Sequence, residues 1–300
     1  MGDDRQGEGR ARAQGHDVEN AARVTCDTCP HHCRLAPGQT GRCHARANAG
    51  GAIRATAYGR LTSIALDPIE KKPIARWQPG SLVLSVGGYG CTMSCPFCQN
   101  HEIASAGADD VAWREVSPED LVAMAEGLRA RDPRVIGIAY TYNEPLACWE
   151  YVRDCARLAH ARGLRNVLVS NGMASPSVIA RLAGLIDAAN IDLKARGAAA
   201  YASLGGDEAS VRATIAALAA DPVCHLEVTT LVVPGLSDAA EDVDEMAGWL
   251  AGLSPDIPYH LTRFFPRYRM ADAQPTPVAT LRELAAVARR HLRCVLLGNV

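Results

Sequence analysis

Three cysteines form the most chemically specific pattern of the chain. Cys91, Cys95 and Cys98 have C-x3-C-x2-C spacing and follow SLVLSVGGYG, an apolar run typical of a buried strand. Three thiolates at this spacing can hold three irons of a four-iron cluster, which normally takes four cysteines. The remaining iron would have an open position for a substrate or cofactor, as the metal of catalytic zinc sites does. A zinc site with His101 as the fourth ligand is the alternative at this loop.

A second cysteine set lies upstream, with the pattern Cys26-x2-Cys29-x3-Cys33-x9-Cys43. Four soft ligands this close together predict a closed metal site. The spacing differs from the C-x2-C-x2-C-x3-C run of ferredoxins, so zinc and a second iron–sulfur cluster are both open. We favour a structural metal over an electron relay, because so short a segment cannot bury its own core. A histidine could replace one cysteine, the candidates being His31, His32 and His44.

Composition argues against several classes of function. Apolar residues make up 48% and charged residues 21% of the 300 residues, which predicts a folded protein with a sizeable core. The net charge of −2 and the aromatic content of 5% give no basis for nucleic-acid binding. No apolar stretch approaches ~18 residues and the N-terminus lacks a secretory signal, so no membrane association is expected. Eleven cysteines without such a signal predict metal binding in a reducing, cytoplasmic compartment.

The chain divides into four predicted segments. Residues 1–23 are expected to form a disordered tail, 24–45 a cysteine-rich metal-binding module, 46–80 a connector and 81–300 the core. Within the core, strand-like apolar runs alternate with helix-like periodicity. The predicted strands are 81–87, 134–140, 165–170, 188–193, 224–233, 258–264 and 293–297. The predicted helices are 117–131, 144–162, 175–187, 207–220, 238–252 and 277–291, with Ser117, Asn143 and Ser175 as capping residues.

Alternating strands and helices predict an α/β fold with a parallel sheet. Six helices are too few for a closed eight-fold barrel, so we expect a partial (β/α)6 barrel with one extra strand and the small cysteine-rich module. Such barrels place their chemistry on loops at the carboxyl ends of the strands. The Cys91 loop follows the first predicted strand, Asn143 and Glu144 follow the second, and Asn171 follows the third. These side chains should therefore meet at one edge of the sheet.

One predicted strand carries an alternating polar pattern. Asn190, Asp192 and Lys194 alternate with Ile191 and Leu193, so the two sets face opposite sides of the strand. In a barrel, the apolar pair should meet the helices and the polar set should line the interior.

Eight short motifs extend the argument beyond spacing. They are DPIEKKP (67–73), GCTMSCPFCQN (90–100), YTYNEP (140–145), SNG (170–172), NIDLKA (190–195), VVPG (232–235), RFFPRY (263–268) and LGNV (297–300). In this order they resemble the radical S-adenosylmethionine (SAM) superfamily, in its pyruvate formate-lyase activating enzyme branch. Within that branch, the radical SAM enzyme of the AmmeMemoRadiSam system is most similar. The resemblance runs from about Cys26 to Val300, where such relatives often continue into a cysteine-rich tail.

The resemblance implies a chemistry for the first cysteine set. Cys91, Cys95 and Cys98 would hold a [4Fe–4S] cluster whose open iron binds SAM, and residues 81–300 would form the radical SAM core. Reductive cleavage of SAM would then yield a 5′-deoxyadenosyl radical that takes a hydrogen atom from the substrate. The protein positions the reactants and excludes water, because the cofactors carry the difficult chemistry.

The resemblance also implies a cofactor-binding set. Glu144 matches the motif that contacts the SAM amino group, and Asp192 and Lys194 match a DLK motif of the cofactor site. Asn171 and His260 are further candidates. Each has a structural alternative, which is a helix N-terminal carboxylate for Glu144, an ion pair for Asp192 and Lys194, an Asn-Gly turn for Asn171 and a buried histidine for His260.

Three functional hypotheses follow. The first is a radical SAM enzyme of the AmmeMemoRadiSam type, acting on a small molecule or on a protein of that system. The second is an activating enzyme that installs a glycyl radical on a pyruvate formate-lyase-like partner. The third is a non-catalytic iron–sulfur electron-transfer or metal-binding protein. An electron donor such as flavodoxin or ferredoxin is the expected partner of the enzyme.

Overall fold

A computed structural model of the chain describes residues 23–300. Residues 1–22, nearly all of the predicted tail, lie outside the described residues. No helix in the described part is long and apolar enough to cross a membrane. The strands, in chain order, are β1 (Val24–Thr25), β2 (Arg34–Leu35), β3 (Arg46–Ala49), β4 (Ala52–Ala55), β5 (Arg60–Leu61), β6 (Ser63–Pro68), β7 (Leu82–Gly87), β8 (Arg114–Glu115), β9 (Val135–Tyr140), β10 (Arg165–Ser170), β11 (Ala188–Asp192), β12 (His225–Val232), β13 (Tyr259–Arg263) and β14 (Val295–Gly298).

One large sheet organises the core. Its strand order is β14-β13-β12-β11-β10-β9-β7-β6, and all neighbours are parallel except the antiparallel pair β6 and β7. The sheet has two free ends, β6 and β14, so it forms an open, partial barrel, which confirms the predicted α/β fold. The seven parallel strands coincide with the seven predicted strands to within two residues at each end. Such agreement is expected, since strands buried on both faces are continuous apolar runs.

Helices connect and cover the strands. They are α1 (His101–Ala104), α2 (Pro118–Arg131), α3 (Trp149–Ala161), α4 (Pro176–Leu182), α5 (Ala198–Ser203), α6 (Glu208–Ala219), α7 (Ala240–Leu253) and α8 (Val278–Ala288), with short 3-10 helices at Ile69–Lys71, Pro145–Cys148 and Tyr268–Met270. Ser117 caps α2 as predicted, because its hydroxyl accepts the Asp120 N–H at 3.1 Å.

Three local predictions about the helices are wrong. Ser175 precedes α4 but makes no side-chain capping bond, and its hydroxyl contacts Ser177 instead. The same helix ends at Leu182 because Ala183 takes an extended backbone, not at residue 187. Asn143 does not cap the next helix, which is capped by the Glu144 side chain through the Leu146 N–H at 2.9 Å.

The segment predicted as a connector contributes to the sheet and fills the barrel. Residues 63–68 form β6, which pairs with β7 over six residues. Further along, Ile69 and Ile74 are fully buried and pack against interior side chains of four strands, namely Val83, Ala139, Val167 and Ala188. We call residues 69–77 the plug. It closes the end of the barrel at which the parallel strands begin, and it leaves the carboxyl ends of the strands for the site.

Alternation on β11 follows the prediction. Ile191 and Leu193 are fully buried in the main hydrophobic cluster beneath the helices. Asn190 faces the interior, where its side-chain amide donates to the Pro73 carbonyl of the plug at 2.7 Å. The polar side of this strand therefore lines the barrel, and its last residues reach the open edge.

Candidate active site at the carboxyl edge of the sheet

The loop after β7 presents the three central thiols at the open edge. Cys91, Cys95 and Cys98 are free and partly buried. The loop backbone is fixed on both sides, because the Gly90 N–H donates to the Ile103 carbonyl at 2.8 Å and the Cys91 N–H to the Cys43 carbonyl at 3.1 Å. The loop is thus anchored independently of anything that its sulfurs bind.

Asn171, at the end of β10, contacts the first of these thiols. Its side-chain amide donates to the Cys91 sulfur at 3.5 Å and to the Thr92 hydroxyl at 3.0 Å. The Met93 N–H donates to the same sulfur at 3.4 Å. Donors to a ligating sulfur favour the thiolate and raise the reduction potential of a cluster. We call residues 88–100, which carry the three thiols, the cluster loop, after the ligand predicted for it. The structure therefore places Asn171 against the cluster loop, in addition to any contact with a cofactor.

Burial controls the protonation of the three thiols. It raises the pKa of Cys91, Cys95 and Cys98, and the nearby Glu144 carboxylate raises that of Cys91 further. The Lys194 ammonium lowers the pKa of all three thiols, but each pKa stays above its usual value. Lys194 alone therefore does not hold these cysteines as thiolates. Bound iron would provide the additional positive charge.

Glu144 is completely buried between the ends of β9 and β10. One oxygen accepts the Leu146 N–H at 2.9 Å and the Ser170 hydroxyl at 2.7 Å, and the other accepts the Asn171 N–H at 2.8 Å. Burial raises the pKa of Glu144 to about 7, although these hydrogen bonds lower it. A carboxylate with two oxygens can accept a further donor. Glu144 can therefore hold the strand ends together and receive an amino group from the barrel.

Asp192 and Lys194 form an ion pair at the same edge. The Lys194 Nζ lies 2.7 Å from an Asp192 oxygen, and the lysine side chain is only 15% exposed. Burial would lower the pKa of Lys194, but Asp192 and the Cys95 and Cys91 thiolates raise it overall. The pair lies at the predicted edge, and the ion pair alone accounts for its contacts, so the cofactor role of both residues stays a prediction.

The barrel interior between the plug and the cluster loop has polar atoms without partners. Among the residues that the structure describes, the side-chain oxygens of Ser85, Asn190 (Oδ1) and Thr229 are buried and accept or donate no hydrogen bond. Buried polar groups are normally satisfied, so such atoms are suited to a polar ligand. In donor chemistry, the three free thiols suit a [4Fe–4S] cluster, and the oxygens together with Glu144 suit the polar groups of SAM.

His260 is buried on β13, where it pairs in register with Thr229 of β12, and it bonds to the Glu227 carboxylate. That carboxylate also accepts the N–H groups of Ala75 and Arg76 in the plug, at 3.0 and 2.7 Å, and contacts His225 at 2.9 Å. The structure thus links His260 to the plug through Glu227, and its contact with a cofactor stays a prediction.

The N-terminal cysteines form a separate group beside the cluster loop. Cys26, Cys29, Cys33 and Cys43 line one cavity of about 10 Å³. They are free thiols, and only Cys33 is partly exposed. The structure therefore gathers the predicted second metal set, at a point adjoining the first.

Asn143 lies at the edge where the sequence placed it, directly after a predicted strand, but its role differs from the predicted helix cap. Its side-chain oxygen accepts the Gly88 N–H at 3.0 Å, and its amide donates to the carbonyls of Tyr89 and Gly90 at 3.0 and 3.1 Å. Asn143 thus shapes the backbone that leads into Cys91.

Comparison with known proteins agrees with this architecture. Residues 85–250, more than half of the chain, match the family model of the Radical SAM superfamily. An uncharacterized protein of Methanocaldococcus jannaschii is 34% identical over 280 residues, which cover 93% of this chain and 82% of that protein.

Two solved structures share the fold. A radical SAM methyltransferase from Sphaerobacter thermophilus has a TM-score of 0.54 at 18% identity, over 73% of this chain and 66% of the other. Streptococcus suis SuiB bound to its precursor peptide SuiA has a TM-score of 0.54 at 13% identity, over 71% of this chain and 47% of the other. With the family match and the M. jannaschii relative, the conclusion is that the chain belongs to the radical SAM superfamily.

Proposed function

We propose that Cys91, Cys95 and Cys98 bind the [4Fe–4S] cluster of this radical SAM enzyme, and that the interior between plug and cluster loop binds SAM. The substrate belongs to the AmmeMemoRadiSam type, as a small molecule or another protein of that system. The observation that carries the proposal is the hydrogen bond from the Asn171 amide to the Cys91 sulfur. It joins the end of β10 to the first cluster ligand.

Superfamily membership supplies the cofactors. Radical SAM proteins use a [4Fe–4S] cluster and SAM, and SuiB, which shares the fold, has been solved with SAM bound. Together these cofactors supply a one-electron reductive cleavage of SAM followed by hydrogen abstraction from the substrate. An electron donor is required, and we propose one of the flavodoxin or ferredoxin kind.

The residues of the chain bind, orient and exclude water. The three cysteines each bind one iron, while Asn171 fixes the orientation of Cys91. In the interior, Glu144 accepts the amino group of SAM, and the Asp192–Lys194 pair provides both an acceptor and a donor for its remaining polar groups. The plug closes the barrel from below and keeps water from the reacting centre.

SAM cleavage tests the proposal directly. The full chain is reconstituted anaerobically with iron and sulfide, reduced with dithionite and given SAM, and 5′-deoxyadenosine is measured. We expect about four irons per chain at this site and formation of 5′-deoxyadenosine. Cys95→Ala should abolish the product, whereas Cys224→Ala, a partly buried cysteine outside both sets, should retain it. A reconstituted cluster that leaves SAM intact would favour the non-catalytic electron-transfer alternative.

The substrate type needs a separate measurement. A deuterated candidate substrate that transfers its label into 5′-deoxyadenosine identifies the position from which hydrogen is taken. The activating-enzyme alternative predicts a stable glycyl radical on a partner protein, which electron paramagnetic resonance detects as a doublet. A glycyl-radical enzyme encoded beside this chain would reverse our choice between the two.

A further inference from the structure

The four N-terminal cysteines surround a space of atomic size. Their common cavity of about 10 Å³ also has His31 and Arg46 in its lining. About 10–15 Å³ is the space that a single water molecule needs. A single metal ion is of comparable size, so one ion can lie in the space that the four cysteines share.

The ligands that the cavity offers are four sulfurs. Within residues 23–300, no group of three His, Cys, Asp or Glu side chains already has the geometry of a bound ion, so binding must draw these sulfurs inward. The His31 Nε2 lies 2.8 Å from the Thr92 carbonyl oxygen, which leaves only Nδ1 of that ring as a possible ligand, and four sulfurs already complete a tetrahedral set.

Arg46 supplies positive charge at the same cavity. A dication bound by four thiolates carries two net negative charges, which a buried site must balance. The Arg46 guanidinium lines the cavity, and its Nε is buried without a hydrogen-bond partner. Its terminal nitrogens are held by Glu150, at 2.7 and 2.8 Å, and by the Ala147 carbonyl at 3.1 Å. Arg46 thus connects the cysteine module to the start of α3.

The module has little secondary structure of its own. Its strands β1 and β2 are two residues long, and the turn between them is closed by the Cys26 N–H donating to the Cys33 carbonyl at 2.9 Å. Cys29, Cys43 and Ala45 pack into the main hydrophobic cluster, which holds one side of the module. All four cysteines are free thiols, so a metal ion can add the cross-link that such a short segment lacks.

The module also contacts two consecutive residues of the cluster loop. The Cys43 carbonyl accepts the Cys91 N–H at 3.1 Å, and the His31 ring contacts the Thr92 carbonyl. These groups flank the peptide bond between Cys91 and Thr92. A metal ion that orders the module would therefore also fix the backbone position of Cys91, the first proposed cluster ligand.

We propose that the four N-terminal cysteines bind one structural Zn²⁺, and that the zinc-bound module positions the backbone of Cys91 and Thr92. Zinc is the ion of choice for four tetrahedral thiolates at about 2.3 Å. The site takes no part in electron transfer, so its existence does not depend on SAM cleavage by the chain.

Metal analysis of Cys95→Ala tests the proposal with the full chain. This variant lacks one ligand of the radical SAM cluster, so any remaining metal reports on the N-terminal site. We expect about one zinc per chain, with zinc-edge X-ray absorption showing four sulfurs at about 2.3 Å. Cys33→Ala, made in the same background, should lose the zinc, and the matched control Cys224→Ala should keep it. A reduced four-iron signal in Cys95→Ala, or no bound metal at all, would refute the proposal.

The positioning role needs a readout other than metal content. In protein with Cys91, Cys95 and Cys98 intact, Cys33→Ala should speed hydrogen exchange of the Cys91 amide at least tenfold, because its acceptor on Cys43 is released. If hydrogen exchange of the Cys91 amide is unchanged after loss of zinc, the module does not position the backbone of Cys91. If Cys33→Ala does not fold, removal of zinc from the folded chain by a chelator gives the same comparison.

Discussion

The backbone N–H of Asn171 donates to the Glu144 carboxylate at 2.8 Å, while the Asn171 side chain donates to the Cys91 sulfur at 3.5 Å. One residue therefore links a buried acid to Cys91, the first of the three proposed cluster ligands. The two links cross from the end of β9 to the end of β10 and then to the loop after β7. They tie together the carboxyl ends of three neighbouring strands, where we propose that the cofactors bind.

The first prediction concerns Glu144. In Glu144→Gln, an amide N–H₂ replaces one oxygen and faces a donor, so the variant should lose roughly 1–3 kcal/mol of unfolding free energy. SAM affinity should also fall, because the charged acceptor is gone. Urea unfolding and titration of the reconstituted protein with SAM measure the two effects. Glu119→Gln, at an exposed position in α2, is the control and should change neither. Wild-type SAM affinity in Glu144→Gln would contradict the cofactor role.

The second prediction concerns the donor to Cys91. Asn171→Ala removes the N–H that points at the sulfur, so the midpoint potential of the cluster should fall while the iron content is retained. Redox titration followed by electron paramagnetic resonance gives the potential. Asn299→Ala, which removes an exposed contact with the Arg263 carbonyl and adds local backbone strain away from Cys91, should leave the midpoint potential unchanged. An unaltered potential in Asn171→Ala would show that the bond to sulfur has no electronic effect.

Local sequence patterns predicted the strands well, since a buried parallel strand carries its signal within its own few residues. They failed at Asn143, whose partners Gly88, Tyr89 and Gly90 lie more than fifty residues away. The helix cap predicted for Asn143 rested only on its neighbours along the chain, so the sequence pattern could not reveal these distant contacts.

The plug was missed for the same reason. Ile69 and Ile74 are ordinary apolar residues in a Pro- and Lys-containing stretch, and their burial depends on strands that follow them in sequence. His260 was judged by its position on a strand face. Only the structure shows that His260 bonds to Glu227, which in turn accepts an N–H of the plug.

The third prediction uses two glycines with left-handed backbones. Gly90 has φ of +85°, and a Cβ there would lie 2.2 Å from the Cys43 carbonyl oxygen, whereas Gly50, with φ of +63°, has nothing within 4 Å of such a Cβ. Both alanine variants incur about 1–2 kcal/mol of backbone strain. Gly90→Ala should cost more and should lower the iron content, because the carbonyl that holds Cys91 must move. Equal unfolding free energies and equal iron contents would contradict the clamp between module and loop.

The last prediction concerns pH and the plug. Burial would raise the pKa of Glu227, but hydrogen bonds from His225, His260 and the N–H groups of Arg76 and Ala75 lower it from 4.5 to about 2. Because the folded pKa is the lower one, the stabilisation is complete above about pH 4.5 and is lost as pH falls towards 2.

Lowering the Glu227 pKa from 4.5 to about 2 stabilises the folded protein by roughly 3 kcal/mol at most. Glu227→Gln has no carboxylate and lacks this stabilisation. Urea unfolding at pH 6, 5, 4 and 3 measures the difference between the two proteins, in which acid effects common to both cancel. Wild-type stability should exceed that of the variant at pH 6, and the gap should narrow as pH falls, because only the wild type takes up the proton. Glu119→Gln should follow the wild-type curve. A gap that stays constant from pH 6 to 3 would mean that the charge on Glu227 does not hold the plug against β12 and β13.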